Sequence, residues 1–128
     1  MDPYFVVRQF EEELCKYTGA KYAVTTTSCT MALLLTVAWH IKEMNRVVPN
    51  CDLKPAIEIP KRTYISVPMS IIHAGGRPAF RDEDWTGEYQ LKPLPVWDCA
   101  RWFCRDMYRP CQMMCLSFHW TKQLSIGQ

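Results

Sequence analysis

"KYAVTTTSCTMALLLTVAWHIKEM", residues 21–44, decides how the rest of the chain is read. Its first eight residues are short, β-branched and bounded by Gly19 and Ser28, which predicts a buried strand. From Ser28 onward the pattern is apolar on most sides, which predicts a well-buried helix with Ser28 or Thr30 as its N-cap. A strand running through a small polar turn into a helix is the opening of an α/β arrangement.

The neighbouring stretches extend that pattern. Upstream, "YFVVRQFEEELCKYTG" places Val6, Val7, Phe10, Leu14 and Tyr17 at three- and four-residue steps, an amphipathic helix stopped by Gly19. Downstream, a loop between Asn45 and Pro55 precedes "AIEIP", a short strand ending at Pro60. "TYISVPMSIIHAGG" resumes a helical pattern with Pro68 near its first turns, and "RPAFRDED" is a further strand. "WTGEYQLKPLP" is turn-rich and has no room for a helix. "PVWDCA" is a strand with an acid at its C-terminal end, "MMCLSFH" is the last strand, and "WTKQLSIGQ" is the turn after it. The order α-β-α-β-α-β-loop-β-β argues an α/β sheet with mostly parallel strands.

Composition narrows the function classes. The 128 residues are about one domain's length, and 48% hydrophobic with 22% charged is ordinary globular usage. A net charge of +2 with scattered basic residues gives no reason to expect nucleic acid. Seven cysteines are an odd number, so a closed disulfide framework would leave one over. Cys99, Cys104, Cys111 and Cys115 contain no C-x-x-C pair, so no metal site is expected. Cys15, Cys29 and Cys115 sit in apolar or small-residue runs, where a reduced thiol packs as a small hydrophobe. "MDPYFVVRQF" lacks the parts of a signal peptide, and the longest apolar stretch, Met31 to Trp39, is far short of a membrane span. The expectation is a cytoplasmic protein with no membrane partner.

In open α/β sheets, ligands bind beyond the carboxyl ends of the strands. Four polar groups fall there: Ser28-Cys29-Thr30, Thr63-Tyr64, Asp98, and Ser117 through Lys122. Each has an ordinary explanation as a cap, a turn residue or a solvated lysine. A Ser/Thr turn opening a helix also suits an anion, although no Walker lysine accompanies it. An acid on an internal strand needs a cationic partner, and a cofactor ring nitrogen can be one. A lysine in a partly dry site becomes a candidate for imine chemistry with an aldehyde. A phosphate site, a flat aromatic, a buried acid and a nucleophilic lysine are together what pyridoxal phosphate needs.

Four stretches in order then carry a resemblance: "FEEELCKYTGAKYAVTTTSCTMALLL", "EIPKRTYISVPMSIIHAGGRPAFRDED", "VWDCA" and "CLSFHWTKQLSIG". They are similar to the F-E-x-E helix, S-G-T-x-A-L turn, P-x-x-T-[FWY], E-D-A-A-type strand end and S-F-x-x-x-K runs of the DegT/DnrJ/StrS family of pyridoxal-phosphate-dependent sugar aminotransferases. The likeness covers most of residues 5 to 127. It implies that residues 1–128 form a truncated version of that family's large domain, a three-layer type I transferase fold, without the small C-terminal domain.

Position by position, the resemblance implies that Lys122 is the Schiff-base lysine and Asp98 pairs with the pyridine nitrogen. Tyr64 matches the aromatic that stacks on the ring, while Ser117 and the Cys29-Thr30 turn would hold the phosphate. In relatives where a histidine replaces the matching lysine, dehydration replaces transamination, so lysine here favours an aminotransferase. There are departures. Cys29 stands for the turn's glycine, where close approach of backbone to phosphate is easiest. Arg101 stands for the glutamine that contacts the ring hydroxyl. Between Asp84 and Trp97 the family runs a further strand and helix, and this chain is shortened by one βα unit.

The implied function is the N-terminal portion of an enzyme that moves an amino group from an amino acid, glutamate by family, to a keto-sugar nucleotide. It would need a C-terminal portion, or a partner chain, to turn over. The alternative is a non-catalytic binding protein that keeps the fold. The expected assembly is a homo-oligomer or a complex with a complementing C-terminal chain, because an unfinished sheet exposes edges and apolar helix faces.

Overall fold

A computed structural model describes residues 2–48 and 54–124. The middle of the loop expected between Asn45 and Pro55, with Cys51, and the last four residues of the closing turn lie outside the described residues.

Helix α1 spans Phe5–Thr18 and ends where Gly19, at φ 79°, turns its N–H back to the Cys15 carbonyl at 3.0 Å. That left-handed geometry carries little penalty for glycine. The expected apolar stripe is only partly used: Leu14 is buried, whereas Val6 and Val7 are exposed. α1 docks instead through rings, with Phe10 edge-on to Phe118 and Tyr17 stacked on Phe103, centroids 5.3 and 5.1 Å apart.

The strand expected over residues 21–28 does not form. Val24 is 83% exposed, and the Thr25 N–H and hydroxyl both bond Glu11 Oε1, at 2.7 and 2.9 Å. A β-branched run becomes a strand by packing on neighbours, and no strand lies beside this one among the described residues.

Ser28 caps α2 (Cys29–Val47), its hydroxyl accepting from the Met31 N–H at 3.1 Å. Leu33, Val37 and Ile41, four residues apart, face the core, while Leu35 and Trp39 on the other side are exposed. The helix is therefore one-sided, not enclosed as its sequence suggested, because only one face meets protein. α3 (Ser66–His73) packs on it and buries Val67 and Ile71. Pro68 is tolerated in its first turn, where N–H groups have no intrahelical partner.

β1 (Ala56–Pro60) pairs in parallel with β2 (Arg77–Arg81). The turn-rich stretch yields a strand that the sequence reading missed, β3 (Tyr89–Gln90), antiparallel to β4 (Val96–Cys99). β4 pairs in parallel with β5 (Met113–Leu116). Lys92, just past β3, exchanges two backbone hydrogen bonds with Glu58 of β1, at 2.7 and 3.1 Å. The order across both ladders is thus β2-β1-β3-β4-β5, with only β3 reversed. One short antiparallel strand bridges the two parallel pairs.

A single core joins α2 and α3 to Ile57, Ile59, Tyr89, Leu91, Val96 and Cys115 of the sheet. Packing dominates its energetics: truncating a fully buried Leu or Ile here costs about 2–5 kcal/mol. The third layer expected on the opposite face is not assembled among the described residues, since α1 rests mainly on Phe103 and Phe118.

Candidate active site

Because β1, β4 and β5 run the same way, their C-terminal ends share one edge of the sheet, and the N-terminus of α2 arrives beside them. Asp98 lies at the end of β4, flanked in register by Tyr89 on one side and Cys115 on the other. All three point to the face covered by the helices, as cross-strand partners do. Asp98 is 7% exposed. Its Oδ2 accepts from the Tyr89 hydroxyl at 2.8 Å, and its Oδ1 accepts from the Ala100 N–H at 3.0 Å. No ion pair to Asp98 is found among the described residues, so this internal acid has neutral donors and no cation.

Tyr89 was missed by the sequence reading. It is 2% exposed, lies edge-on to Trp85 with ring centroids 4.8 Å apart, and hydrogen-bonds Thr63 through its hydroxyl. Burial, and then the charge of Asp98, push its phenol well above the usual tyrosine range. The available signal was the alternation of Tyr89 and Leu91, both buried, around Gln90: a period of two in what looked like a turn.

The first turn of α2 closes the site from above. Cys29 Sγ faces the Cys115 carbonyl at 3.6 Å. Burial chiefly, with Asp98 and Cys115 adding, raises its thiol strongly, while the positive charge of Lys122 works the other way. Cys29 therefore lies within electrostatic reach of both Asp98 and Lys122. The Met31 and Ala32 N–H groups are taken by Ser28. Helix geometry leaves those of Cys29 and Thr30 aimed outward. The Thr30 hydroxyl bonds Ser66 at 3.0 Å, tying the starts of α2 and α3 together.

Ser117 follows β5 directly and is half-buried, as is Lys122. The turn between them is fixed in two ways. Phe118 sits edge-on between Phe10 and Phe103, and the Lys122 N–H donates to the His119 carbonyl at 2.8 Å. One residue on, Gln123 accepts from the Phe103 N–H at 2.6 Å, holding this turn against the one after β4.

Two of the expected residues stand apart from this group. Tyr64 is 73% exposed, open to a planar ligand but packed on nothing; its neighbour Thr63 is the residue that reaches the buried network. Arg101 is exposed and lines a cleft of about 540 Å³ with Arg62, Asp84, Trp85, Trp102 and Gln123. Trp102 lies so close over Gly87 (φ 76°) that a Cβ there would come within 2.9 Å of its ring. Cys29, Asp98, Ser117 and Lys122 are thus gathered at one strand edge, with Thr30 at its rim. The group offers a buried anion, free helix N–H groups and a lysine amine: partners for a cationic ring nitrogen, an anion and an aldehyde.

The sequence model of the DegT/DnrJ/EryC1/StrS aminotransferase family matches residues 3–96. The spore coat polysaccharide biosynthesis protein SpsC of Bacillus subtilis (strain 168) is 37% identical to this chain over 79 residues, 61% of the chain and 18% of SpsC. The chain thus spans less than a fifth of the length of that curated relative. No solved structure matches it. Cys29, Thr30 and Tyr64 fall inside the family match, whereas Asp98, Arg101, Ser117 and Lys122 lie beyond its end.

Proposed function

The chain belongs to the DegT/DnrJ/EryC1/StrS aminotransferase family, and on that premise we propose that it is the cofactor-holding portion of a pyridoxal-phosphate-dependent sugar aminotransferase. The observation that carries the reading is Asp98: an acid buried on an internal strand, held by two neutral donors and with no ion pair among the described residues. A buried carboxylate without a positive partner is costly, and the N–H of a protonated pyridine is the partner it fits. Each Asp98 oxygen still has a lone pair to accept it.

Pyridoxal phosphate, when bound, supplies an aldehyde that bonds an amine and a ring that accepts electrons. In this proposal Asp98 keeps the ring nitrogen protonated. The free N–H groups of Cys29 and Thr30 and the hydroxyl of Ser117 bind the phosphate, aided by the positive end of α2. Tyr64 covers one face of the ring. The Lys122 amine holds the cofactor and moves a proton to and from the substrate carbon. The cysteine in place of glycine narrows the approach to the phosphate, and Arg101, in place of glutamine, faces the cleft.

The amino donor, glutamate by family, and a keto-sugar nucleotide complete the proposed reaction. The name of SpsC places that relative in polysaccharide biosynthesis, in keeping with a sugar acceptor. We place the acceptor in the cleft lined by Gln123, the residue after Lys122, where the indoles of Trp85 and Trp102 suit a sugar or base ring and Arg101 suits a phosphate. A C-terminal portion or partner chain completes the site.

The test is spectroscopic. Pyridoxal phosphate added to the chain should give a visible band that Lys122→Ala abolishes, and an amino donor should bleach it once a C-terminal portion is supplied. Absence of the band in the wild-type chain contradicts the reading. A stable band that no donor alters points instead to a non-catalytic cofactor-binding protein.

A further inference from the structure

Among the described residues the Asp98 carboxylate receives two hydrogen bonds, and one comes from a residue the family pattern does not mark. The Tyr89 hydroxyl lies 2.8 Å from Asp98 Oδ2, on a side chain almost wholly buried beneath α2 and α3. An ionised carboxylate can only accept, so the phenol must donate to it. That leaves the phenolic oxygen to accept from its other neighbour, the Thr63 hydroxyl. The relay therefore has a direction, Thr63 to Tyr89 to Asp98, and it begins at a half-buried residue next to the exposed Tyr64.

The donor is neutral. A lysine or arginine here would stabilise the carboxylate by ion pairing and so compete with a cationic ligand for it. A phenol stabilises the charge and leaves it unneutralised. A hydrogen bond to the charged form of a carboxylate favours that form, and loss of the phenol removes that bond. If a ring nitrogen shares a proton with Asp98, the proton then moves from nitrogen to carboxylate oxygen, with no net gain or loss.

We propose that Tyr89 is a positioning residue for the cofactor, holding Asp98 ionised and turned toward the ring nitrogen, with Thr63 orienting its hydroxyl. The proposal rests on the cofactor reading above. β3 supplies this residue.

The experiment adds pyridoxal phosphate labelled with ¹⁵N in its ring, at saturation, to the full 128-residue chain and reads the ring-nitrogen resonance. The wild type should show the protonated position. Tyr89→Phe, which removes one oxygen and keeps the ring packing, should move the resonance toward neutral pyridine. Thr63→Val should move it the same way by less, and it keeps the test alive if the tyrosine variant folds poorly. In an Asp98→Asn background, Tyr89→Phe should add no further shift, because the effect runs through the carboxylate. An unchanged resonance in Tyr89→Phe overturns the proposal, and so does an equal shift in both backgrounds, which would mark a packing role. A wild-type chain with no bound ring signal fails earlier, taking the cofactor reading and this proposal down together.

Discussion

Cys115 shows how much a single side chain can carry at this site. It is buried under α2, with the Thr36 hydroxyl 3.6 Å from its sulfur. Burial pushes its thiol up from 9.0 to about 11, against the Thr36 hydrogen bond and with a further push from Asp98. Below pH 9 the thiol is protonated whether the chain is folded or not, and its contribution is fully present. From pH 9 to 11 the unfolded chain binds fewer protons than the folded one, so stability falls as pH rises, by on the order of 2 kcal/mol. Cys29, Cys99 and Tyr89 are raised too, which steepens the decline. Urea midpoints measured under reducing conditions at about pH 8 and about pH 10.5 should differ, and less so in Cys115→Ala. Equal midpoints in the wild type would refute the assignment. At this scale the site was half legible. Asp98, Cys29 and Ser117 stand out because each lies at a strand end or opens a helix, whereas Lys122 is singled out by the family resemblance. Tyr89 left only the short period-two alternation with Leu91, and the contact it makes with Asp98 leaves no mark of its own in spacing.

Among the elements, the loop-to-helix junction at Ser28 positions the proposed phosphate turn. Ser28, not Thr30, is the cap, and Thr30 spends its hydroxyl on Ser66. Ser28→Ala should therefore cost about 1 kcal/mol of stability and loosen the first turn. Thr30→Ala should spare the cap and weaken only the contact between α2 and α3. Thermal melts of the two variants check this, and a larger loss in Thr30→Ala would contradict it. α1, α2, α3, β1, β2, β4 and β5 were readable from periodicity and from Gly and Pro punctuation. The segment at 21–28 was not, since propensity marks a capacity for pairing and cannot supply the neighbour. β3 was hidden for the opposite reason: a two-residue strand made by its partners has no propensity signal of its own.

Across the whole molecule, four strands that end at one edge, one reversed strand and a capped helix start bring residues from positions 29 to 122 into a single group. Two sheet sides stay open, because β2 pairs only with β1 and β5 only with β4 among the described residues. Leu35 and Trp39 on α2 face outward. Such edges and apolar faces suit pairing with another surface. The general α/β plan could be read from element order, whereas the central antiparallel strand and the one-sided helix layer depend on tertiary neighbours. We propose that the cofactor attaches at Lys122. This is tested most directly by incubating the chain with pyridoxal phosphate, fixing the attachment with borohydride and mapping the modified peptide. Label should concentrate on Lys122 and diminish in Asp98→Asn. Label spread evenly over exposed lysines such as Lys16 and Lys61, with Lys122 unmodified, would contradict it.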